Sequence, residues 1–218
     1  MEKTNFKLAV FDMDGVLTQI PSSWEFVHRE IGVDNLMNLS LYRKGELPYI
    51  EFLRSDVELW IKKMGTVPSS LVKDILEKVP LRNGITETMS SLRSDGIRTA
   101  IISGGIYWLA ERIGKIGEFN EIHANIIKTS GNGEIIPDGT VMVDPKRKDL
   151  ILQDLQKRLG ITEEETFSVG DTLQDVALFR HSGYSIAFNP HEHSMIKNAS
   201  ITLTGNDLRA VLEQIQKQ

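Results

Sequence analysis

The spacing of the hydrophobic residues changes along this chain, and these changes predict its helices and strands. Residues 8–11 form an apolar run that is too short for a helix and rich in strand formers, which predicts a buried strand. From Ser22 to about Val79 the apolar residues recur at helical spacing, with Trp24 and Ile31 on one face and no strand-like run between. The pattern therefore predicts a helical insertion of roughly sixty residues directly after a first strand.

From Gly84 onward, helical and strand patterns alternate. Helices are expected over 85–95, after Gly105 with Trp108, Leu109 and Ile113 on the inner face, over 146–159 and over 207–215. Strands are expected over 99–102, 119–127, 167–169, 185–188 and 200–203. A small β excursion is expected over 130–143, with turns at 132–133 and 138–139. The third of these helices is expected to bury Leu150, Ile151 and Leu155. This alternation is typical of an α/β protein. It divides the chain into an α/β core over 1–18 and 81–218 and a helical cap over 19–80, with Pro80 to Gly84 as the return hinge.

Composition and charge exclude several classes of protein. The chain has 218 residues, 40% of them hydrophobic, and 25 basic against 30 acidic residues give a net charge of −5, so no basic surface for nucleic acid is expected. No apolar run approaches membrane-spanning length, and Met1 to Leu8 is not expected to be a secretory signal. The absence of cysteine excludes disulfides, thiol catalysis and cysteine metal sites, and fits a cytoplasmic protein.

The first candidate for chemistry is the acidic pair Asp12 and Asp14, directly after the first predicted strand. Side chains at i and i+2 of an extended chain point to the same side, so the two carboxylates would converge and repel. Mg²⁺ relieves such repulsion with carboxylate oxygens, waters and a substrate phosphate as ligands. The pair also suits attack by one carboxylate on a phosphoryl group, with the other as acid and base. The alternative is a pair of solvated loop aspartates.

Three further signals lie at predicted strand ends or helix starts. The sequence Ser103-Gly104-Gly105 would offer a hydroxyl and free backbone N–H groups to an anion, although a serine there is also a common N-cap. The cations at 146–148 open a helix, where they oppose the helix dipole, so one of them is expected to have an anionic partner. Asp171 and Asp175, four residues apart, can face one volume as metal ligand and support, or can simply cap a helix.

Taken together and in this order, these motifs resemble those of the haloacid dehalogenase (HAD) superfamily of phosphotransferases. The matching segments are DMDGVLT at 12–18, ISGG at 102–105, Lys148 and GDTLQD at 170–175, which cover essentially the whole chain. The helical insertion after the first motif is similar to the C1-type cap of the phosphoserine phosphatase-like branch. The resemblance implies a Rossmann-like core with a parallel sheet and helices on both faces, plus this helical cap.

The resemblance also implies roles for the four aspartates. Asp12 would be the nucleophile that forms an aspartyl-phosphate, and Asp14 the general acid and base. Mg²⁺ would be bound by the carboxylates of Asp12 and Asp171 and by the backbone carbonyl of Asp14, and Asp175 would support that metal site.

The same resemblance implies a phosphoryl-binding set. Ser103, the amide of Gly104 and a lysine would hold the phosphoryl oxygens, whose negative charge an ammonium and Mg²⁺ would offset. The lysine is assigned to Lys148, twelve residues before Gly160 as in the family's helix, with Lys146 as the second choice.

The cap departs from phosphoserine phosphatases at the positions that would recognise the substrate. No glutamate follows the first motif before Glu25, and the family's arginine position falls at Asp56, an opposite charge. A carboxylate facing a carboxylate would be repulsive, which weakens phosphoserine as the substrate, although Arg43 or Arg54 could compensate.

Other polar and aromatic residues of interest have two interpretations. Trp24, His28 and Trp60 would line the cap pocket, or they would be ordinary packing residues of the cap. His191 and His193 lie in a polar loop without a third metal ligand nearby, so they are expected at the surface.

Three functions fit these observations. The first is a Mg²⁺-dependent phosphomonoesterase that acts on a small phosphorylated metabolite through phospho-Asp12; phosphoserine phosphatase proper is one form of it. The second is a phosphotransferase or mutase on the same fold. The third is a non-catalytic protein that binds a phosphorylated ligand, which is disfavoured because a binding protein has no need of Asp14.

Overall fold

A computed structural model of the protein describes residues 5–218. The first four residues, which belong to the segment not expected to be a secretory signal, lie outside the described residues. The strands are β1 Leu8–Phe11, β2 Arg98–Ile106, β3 Glu121–Thr129, β4 Ile135–Thr140, β5 Thr166–Gly170, β6 Tyr184–Phe188 and β7 Ile201–Leu203. The helices are α1 Ser23–Ile31, α2 Leu36–Lys44, α3 Tyr49–Met64, α4 Ser69–Glu77, α5 Ile85–Ser94, α6 Tyr107–Gly117, α7 Lys148–Leu159, α8 Val176–Phe179, α9 His193–Ile196 and α10 Arg209–Ile215.

The strands form one seven-stranded sheet in the order β4-β3-β2-β1-β5-β6-β7. All neighbouring pairs are parallel except β3 and β4, which run antiparallel. The first strand lies between β2 and β5, with Leu8 opposite Arg98 on one side and Thr166 on the other. The predicted α/β fold with a parallel sheet is confirmed. The residues that follow β1 and β5 meet at one edge because parallel strands end on the same side.

Alternate residues of β1 face two different cores. Leu8 and Val10 pack with residues of α7 and α8, whereas Ala9 and Phe11 pack with residues of α5, α6 and α10. All four side chains are fully buried, which explains why the strand is an unbroken apolar run. Helices thus cover both faces of the sheet.

The four helices α1 to α4 lie between β1 and α5, as the helical spacing predicted. They also contact a distant part of the chain, since α3 packs on β4 and the start of α4 is joined to the turn before β4. Backbone hydrogen bonds of 2.9 Å from Ser69 N to Gly133 O and 2.8 Å from Ile135 N to Val67 O fix this contact. The β excursion therefore serves as a platform for the inserted helices.

Three details of the predicted elements are wrong. The segment Ser103-Gly104-Gly105 does not follow its strand but lies inside β2, which continues to Ile106 across a register shift. The predicted turn at 138–139 also lies within a strand, β4. In α7 it is Leu152, rather than Leu150, that is fully buried, and Leu150 is 49% exposed. A short 3₁₀ turn over Pro145–Arg147 precedes α7 and shifts the helix phase at this point.

Among residues 5–218, no helix is both long and apolar enough to cross a bilayer.

Candidate active site

The candidate site is built at the edge of the sheet where the central strands end. Asp12 directly follows β1, and its backbone N–H donates to Val169 of β5 at 2.9 Å. Asp171 directly follows β5, and Ser103 lies in β2 on the other side of β1. All three residues are nearly or completely buried. Three neighbouring strands therefore bring residues that are far apart in sequence to one edge.

Lys148, at the first position of α7, is the buried cation of the site. Its Nζ lies 2.9 Å from Asp12 Oδ1 and 2.6 Å from Asp175 Oδ1, and only 2% of its side chain is exposed. Burial alone would lower the pKa of Lys148, but the two carboxylates raise it above its ordinary value. The ammonium is therefore held in its charged form. Lys146 lies elsewhere, with its Nζ 3.1 Å from the carbonyl oxygen of Tyr42.

Asp12, Asp171 and Asp175 each offer a carboxylate oxygen within 4.8 Å of the others. Burial raises the pKa of Asp12 to about 7, against the opposing effect of Lys148. Burial, followed by repulsion from Asp175 and Asp12, raises the pKa of Asp171 to about 10. Three buried carboxylates thus face one buried ammonium, so burial and mutual repulsion favour the protonated forms of Asp12 and Asp171 when no cation is bound.

This cluster fits a divalent cation. Neither oxygen of Asp171 receives a hydrogen bond from the described residues, although both are buried. Buried carboxylate oxygens without donors are costly unless a cation occupies the space beside them. Gly15, with φ of +78°, allows the backbone to approach, since a Cβ there would lie 1.8 Å from Asp171 Oδ2. Asp12 and Asp171 are therefore the carboxylates with oxygens available for a metal.

Asp175 has its oxygens occupied. Oδ1 accepts from Lys148, and Oδ2 accepts from the backbone N–H groups of Asp171 and Thr172 at 3.1 and 3.0 Å and from Thr172 Oγ1 at 3.1 Å. Thr172 and Asp175 together form a capping box at the turn before α8. Both sequence interpretations of Asp175 thus apply: it caps a helical turn, and through the same contacts it holds Lys148 and the Asp171 loop in place.

Asp14 is held by a residue that the motif analysis did not single out. Both the backbone N–H and the hydroxyl of Ser23 donate to Asp14 Oδ2 at 2.8 Å, while Oδ1 is buried without a hydrogen bond. Burial raises the pKa of Asp14 to about 6, against the opposing effect of the Ser23 hydrogen bonds. A carboxyl with this pKa can exchange a proton near neutral pH.

The segment expected to bind a phosphoryl group, Ser103 to Gly105, is tightly enclosed. Ser103 Oγ is buried and accepts a hydrogen bond of 3.1 Å from the backbone N–H of Gly105. A Cβ on Gly104 would lie 2.5 Å from Pro145, and one on Gly105 would lie 2.8 Å from Asp14 Oδ2. The two glycines are thus required by close packing, and Ser103 does not cap α6, whose N-cap is Ile106.

Two other residues beside the acidic cluster were not expected there. Arg82 Nη2 donates to the carbonyl oxygen of Gly15 at 2.9 Å. Burial lowers the pKa of Arg82, and Asp171 opposes this shift. His191, expected only at the surface, is half exposed, but its Nε2 lies 3.2 Å from Asp171 Oδ2; His193 is exposed as expected. Neither Arg82 nor His191 belongs to a recognisable local pattern, because both reach the site from distant loops.

The residues suggested for the cap pocket are buried within α1 and α3. Trp60 Nε1 donates to His28 Nδ1 at 2.6 Å, and Trp24 stacks on Trp60 with 5.7 Å between ring centroids. Asp56 Oδ1 accepts from Asn35 Nδ2 at 2.7 Å and lies 3.4 Å from His28 Nε2. His28 and Asp56 therefore form a buried network, and the carboxylate of Asp56 is 1% exposed.

The fold and the site define an α/β protein with buried carboxylates at its strand ends and a buried lysine at the start of a helix, and sequence comparison identifies the family. The model of the haloacid dehalogenase-like hydrolases matches residues 6–183. The chain belongs to this family.

Its relatives include a probable phosphoserine phosphatase of Schizosaccharomyces pombe, 29% identical over 85% of this chain and 62% of the relative. The phosphoserine phosphatase of Haemophilus influenzae is 28% identical over 94% of this chain and 64% of that protein. The chain thus spans less than two thirds of these two relatives. It covers all of the phosphoserine phosphatase of Methanocaldococcus jannaschii, at 28% identity.

Solved structures share the fold. A substrate-bound phosphoserine phosphatase complex has a TM-score of 0.79 and 24% identity over 96% of this chain and 98% of the other. A phospho-aspartyl intermediate analogue of phosphoserine phosphatase has a TM-score of 0.78 and 25% identity, with the same coverage.

Proposed function

We propose that this protein is a phosphomonoester hydrolase that acts on a small phosphorylated metabolite through an aspartyl-phosphate on Asp12. The observation that carries the proposal is the buried cluster at the strand ends, in which Lys148 lies 2.9 Å from Asp12 and Asp171 faces the same volume. Membership of the haloacid dehalogenase-like hydrolases and the likeness to a phospho-aspartyl intermediate analogue support it.

In the first step, a carboxylate oxygen of Asp12 attacks the phosphorus atom and the bond from phosphorus to the ester oxygen breaks. Asp14 donates its proton to the departing alcohol oxygen, for which a pKa of about 6 is suitable. Ser103, the Gly104 amide and Lys148 hold the phosphoryl oxygens, whose charge must be offset as the bond breaks.

In the second step, Asp14 removes a proton from a water molecule as the water oxygen attacks the phosphorus of the aspartyl-phosphate. The bond between phosphorus and the Asp12 oxygen breaks, which releases inorganic phosphate and restores the Asp12 carboxylate. Ser23 donates twice to Asp14 Oδ2, so Oδ1 is the oxygen left for proton transfer.

We assign the cofactor as Mg²⁺, held by Asp12 and Asp171 with the backbone carbonyl of Asp14, and supported by Asp175. A bound Mg²⁺ would offset the charge of the carboxylates and the phosphoryl group. We also assign residues 19–80 as a cap that covers the site and residues 1–18 and 81–218 as the core, since α1 and α3 both reach the Ser103–Gly105 segment.

Phosphoserine is one candidate substrate, supported by the names of the relatives. The repulsion expected from Asp56 does not weaken this candidate, because the Asp56 carboxylate is buried against Asn35 and His28. Of the two arginines suggested to compensate for Asp56, Arg54 is held by Glu51 and Asp138, and Arg43 is exposed. Arg43 is therefore the better candidate to meet a substrate carboxylate. A screen of phosphorylated metabolites that includes phosphoserine and a sugar bisphosphate would separate these hydrolase substrates from a mutase reaction.

The test of the mechanism is Asp12→Asn. The variant should retain the fold by circular dichroism but lose Mg²⁺-dependent phosphate release from an aryl phosphate. Acid-quenched wild-type protein should carry one phosphoryl group on the peptide that contains Asp12, and the variant should carry none.

The matched control is Asp154→Asn, which changes an exposed carboxylate on α7. It should keep wild-type turnover. Unchanged turnover in Asp12→Asn would refute the nucleophilic role of Asp12.

A further inference from the structure

The carbonyl oxygen of Gly104 accepts three side-chain hydrogen bonds. Its donors are Trp24 Nε1 at 3.1 Å, Tyr49 Oη at 2.8 Å and Asn125 Nδ2 at 3.0 Å. Trp24 is in α1, Tyr49 begins α3 and Asn125 is in β3, so the donors come from both the inserted helices and the sheet. A carbonyl oxygen has two lone pairs, and three donors on it indicate that its direction is strongly fixed.

Tyr49 and Asn125 support each other. One N–H of Asn125 Nδ2 is shared between Tyr49 Oη and the Gly104 carbonyl, both at 3.0 Å, because the other N–H donates to Val143. A carbonyl oxygen only accepts, so the single proton of the tyrosine hydroxyl is directed to Gly104. The amide of Asn125 also pairs with the backbone of Val143, since Oδ1 accepts from Val143 N and Nδ2 donates to Val143 O, both at 2.9 Å. Asn125 is fully buried, and Tyr49 is 9% exposed. The network therefore connects α3 and the phosphoryl-binding segment to the chain that leads into Lys148.

The other end of the same peptide group contacts Ser103. The carbonyl of Gly104 and the N–H of Gly105 belong to one planar peptide unit, so fixing the carbonyl also fixes the N–H. That N–H donates to Ser103 Oγ at 3.1 Å. With a lone pair of Oγ occupied, the serine proton points away from Gly105, and the described residues give it no acceptor. It is thereby left to donate to a substrate.

We propose that Tyr49 is a positioning residue for phosphoryl binding. Its hydroxyl holds the peptide between Gly104 and Gly105 so that Ser103 presents its proton to a phosphoryl oxygen. The proposal rests on the proposed function of Ser103 as a phosphoryl ligand. Hydrogen bonds in series polarise one another, so the contact from Tyr49 also strengthens the Ser103 donor.

The first variant is Tyr49→Phe, which removes the hydroxyl and keeps the ring in its cluster with Tyr42 and Phe52. With an aryl phosphate and Mg²⁺, kcat/KM should fall about tenfold, the factor for the loss of one effective hydrogen bond. Tyr42→Phe is the matched control: it removes a hydroxyl from the same aromatic cluster without touching Gly104, and it should keep wild-type kcat/KM.

A general loss of packing would not depend on Ser103, so the decisive measurement is a double-mutant cycle. In a Ser103→Ala background, Tyr49→Phe should change kcat/KM by less than about twofold, because its effect passes through the missing hydroxyl. A wild-type kcat/KM in Tyr49→Phe, or the same tenfold loss in both backgrounds, overturns the proposal.

Failure of the proposed hydrolase function is recognised separately, by turnover that survives Asp12→Asn or by no turnover in the wild type. In that case the cycle is measured by calorimetric titration with inorganic phosphate and Mg²⁺. Tyr49→Phe should then raise the dissociation constant for phosphate about threefold when Ser103 is present and leave it unchanged in the Ser103→Ala background. An unchanged dissociation constant in Tyr49→Phe alone overturns the role of Tyr49.

Discussion

Replacing Asp171 by asparagine should stabilise the metal-free protein while it abolishes stabilisation by Mg²⁺. The side chain is fully buried, neither of its oxygens receives a hydrogen bond from the described residues, and oxygens of Asp12 and Asp175 lie within 4.8 Å. Asparagine has the same shape and no charge, so it relieves repulsion without opening a cavity.

The size of the effect follows from the geometry. Two unit charges 4.8 Å apart repel by about 3 kcal/mol at an effective dielectric constant of about 20. Burial and the same repulsion raise the pKa of Asp171 to about 10. Keeping this carboxyl protonated at pH 7.5 when the unfolded chain is ionised costs about 5 kcal/mol. Because the asparagine amide is itself buried, we expect a net gain of about 3 kcal/mol in the free energy of unfolding, or about 6–12 °C in Tm.

The gain should depend on pH in a defined direction. A carboxyl whose pKa is raised on folding contributes stability that is present below the unfolded value of 3.8 and is lost as the pH rises toward about 10. The wild type therefore loses stability across this window and the variant loses less. At pH 5 the ionisation penalty that the variant relieves falls to about a third of its value at pH 7.5. This is comparable to the cost of burying the asparagine amide, so the net advantage of Asp171→Asn should almost disappear at pH 5.

The assay is thermal unfolding at pH 5 and pH 7.5, in a chelator and in excess Mg²⁺. The wild type should gain Tm from Mg²⁺ at pH 7.5, because a ligand that binds only the folded state stabilises it, and the variant should not. Asp154→Asn, at an exposed carboxylate, should shift stability by less than about 0.5 kcal/mol. At pH 7.5, a variant that melts below the wild type in chelator, or that still gains Tm from Mg²⁺, would refute the electrostatic reasoning.

Two further predictions use pairs of variants. Gly15→Ala and Gly45→Ala both place a side chain at φ of +78°, but of these two only the Cβ at Gly15 would meet a neighbour, Asp171, within 4 Å. Urea denaturation should show that Gly45→Ala lowers the free energy of unfolding by about 1 kcal/mol and that Gly15→Ala lowers it by more. Only Gly15→Ala should lose the Mg²⁺-dependent rise in Tm. Lys148→Met leaves buried carboxylates unpaired, so it should lower the free energy of unfolding by about 3–5 kcal/mol and kcat by at least about a hundredfold. Lys146→Met should stay within about threefold of wild-type kcat. Equal losses for the two lysines would contradict the assignment of Lys148.

The sequence predicted the fold and the site best where a local pattern of residues has a single physical cause. The run Leu8 to Phe11 is apolar because β1 is covered on both sides, and the positions of Asp12 and Asp171 follow from the rule that parallel strands end at one edge. The helix dipole predicted that one of the cations at 146–148 needs an anionic partner, and the structure provides Asp12 and Asp175 as the partners of Lys148. These features depend on residues that are close in sequence or on the general geometry of parallel sheets.

Features that depend on distant contacts were not predictable in this way. Gly104 and Gly105 were expected to follow the strand, but they lie within β2. They are glycines because Pro145 and Met13 occupy the space that their side chains would need. Asp138-Gly139 suggested a turn, but a Cβ on Gly139 would lie 2.6 Å from Leu53 of α3, so the glycine serves helix packing. Periodicity indicates which face of an element is buried, and it contains no information on which distant residue covers that face.

The position of the insertion explains how the inserted helices reach the chemistry. Ser23 is nine residues after Asp14, and the first turn of α1 therefore returns to the strand end, where Ser23 donates twice to Asp14 and accepts from the N–H of Ile106 at 3.1 Å. The neighbouring Trp24 donates to Gly104. A single helical turn thus touches both the residue proposed to transfer protons and the segment proposed to bind the phosphoryl group. Any movement of α1 away from the sheet would disturb both sets of contacts together, so the position of the inserted helices and the geometry of the proposed catalytic groups are coupled.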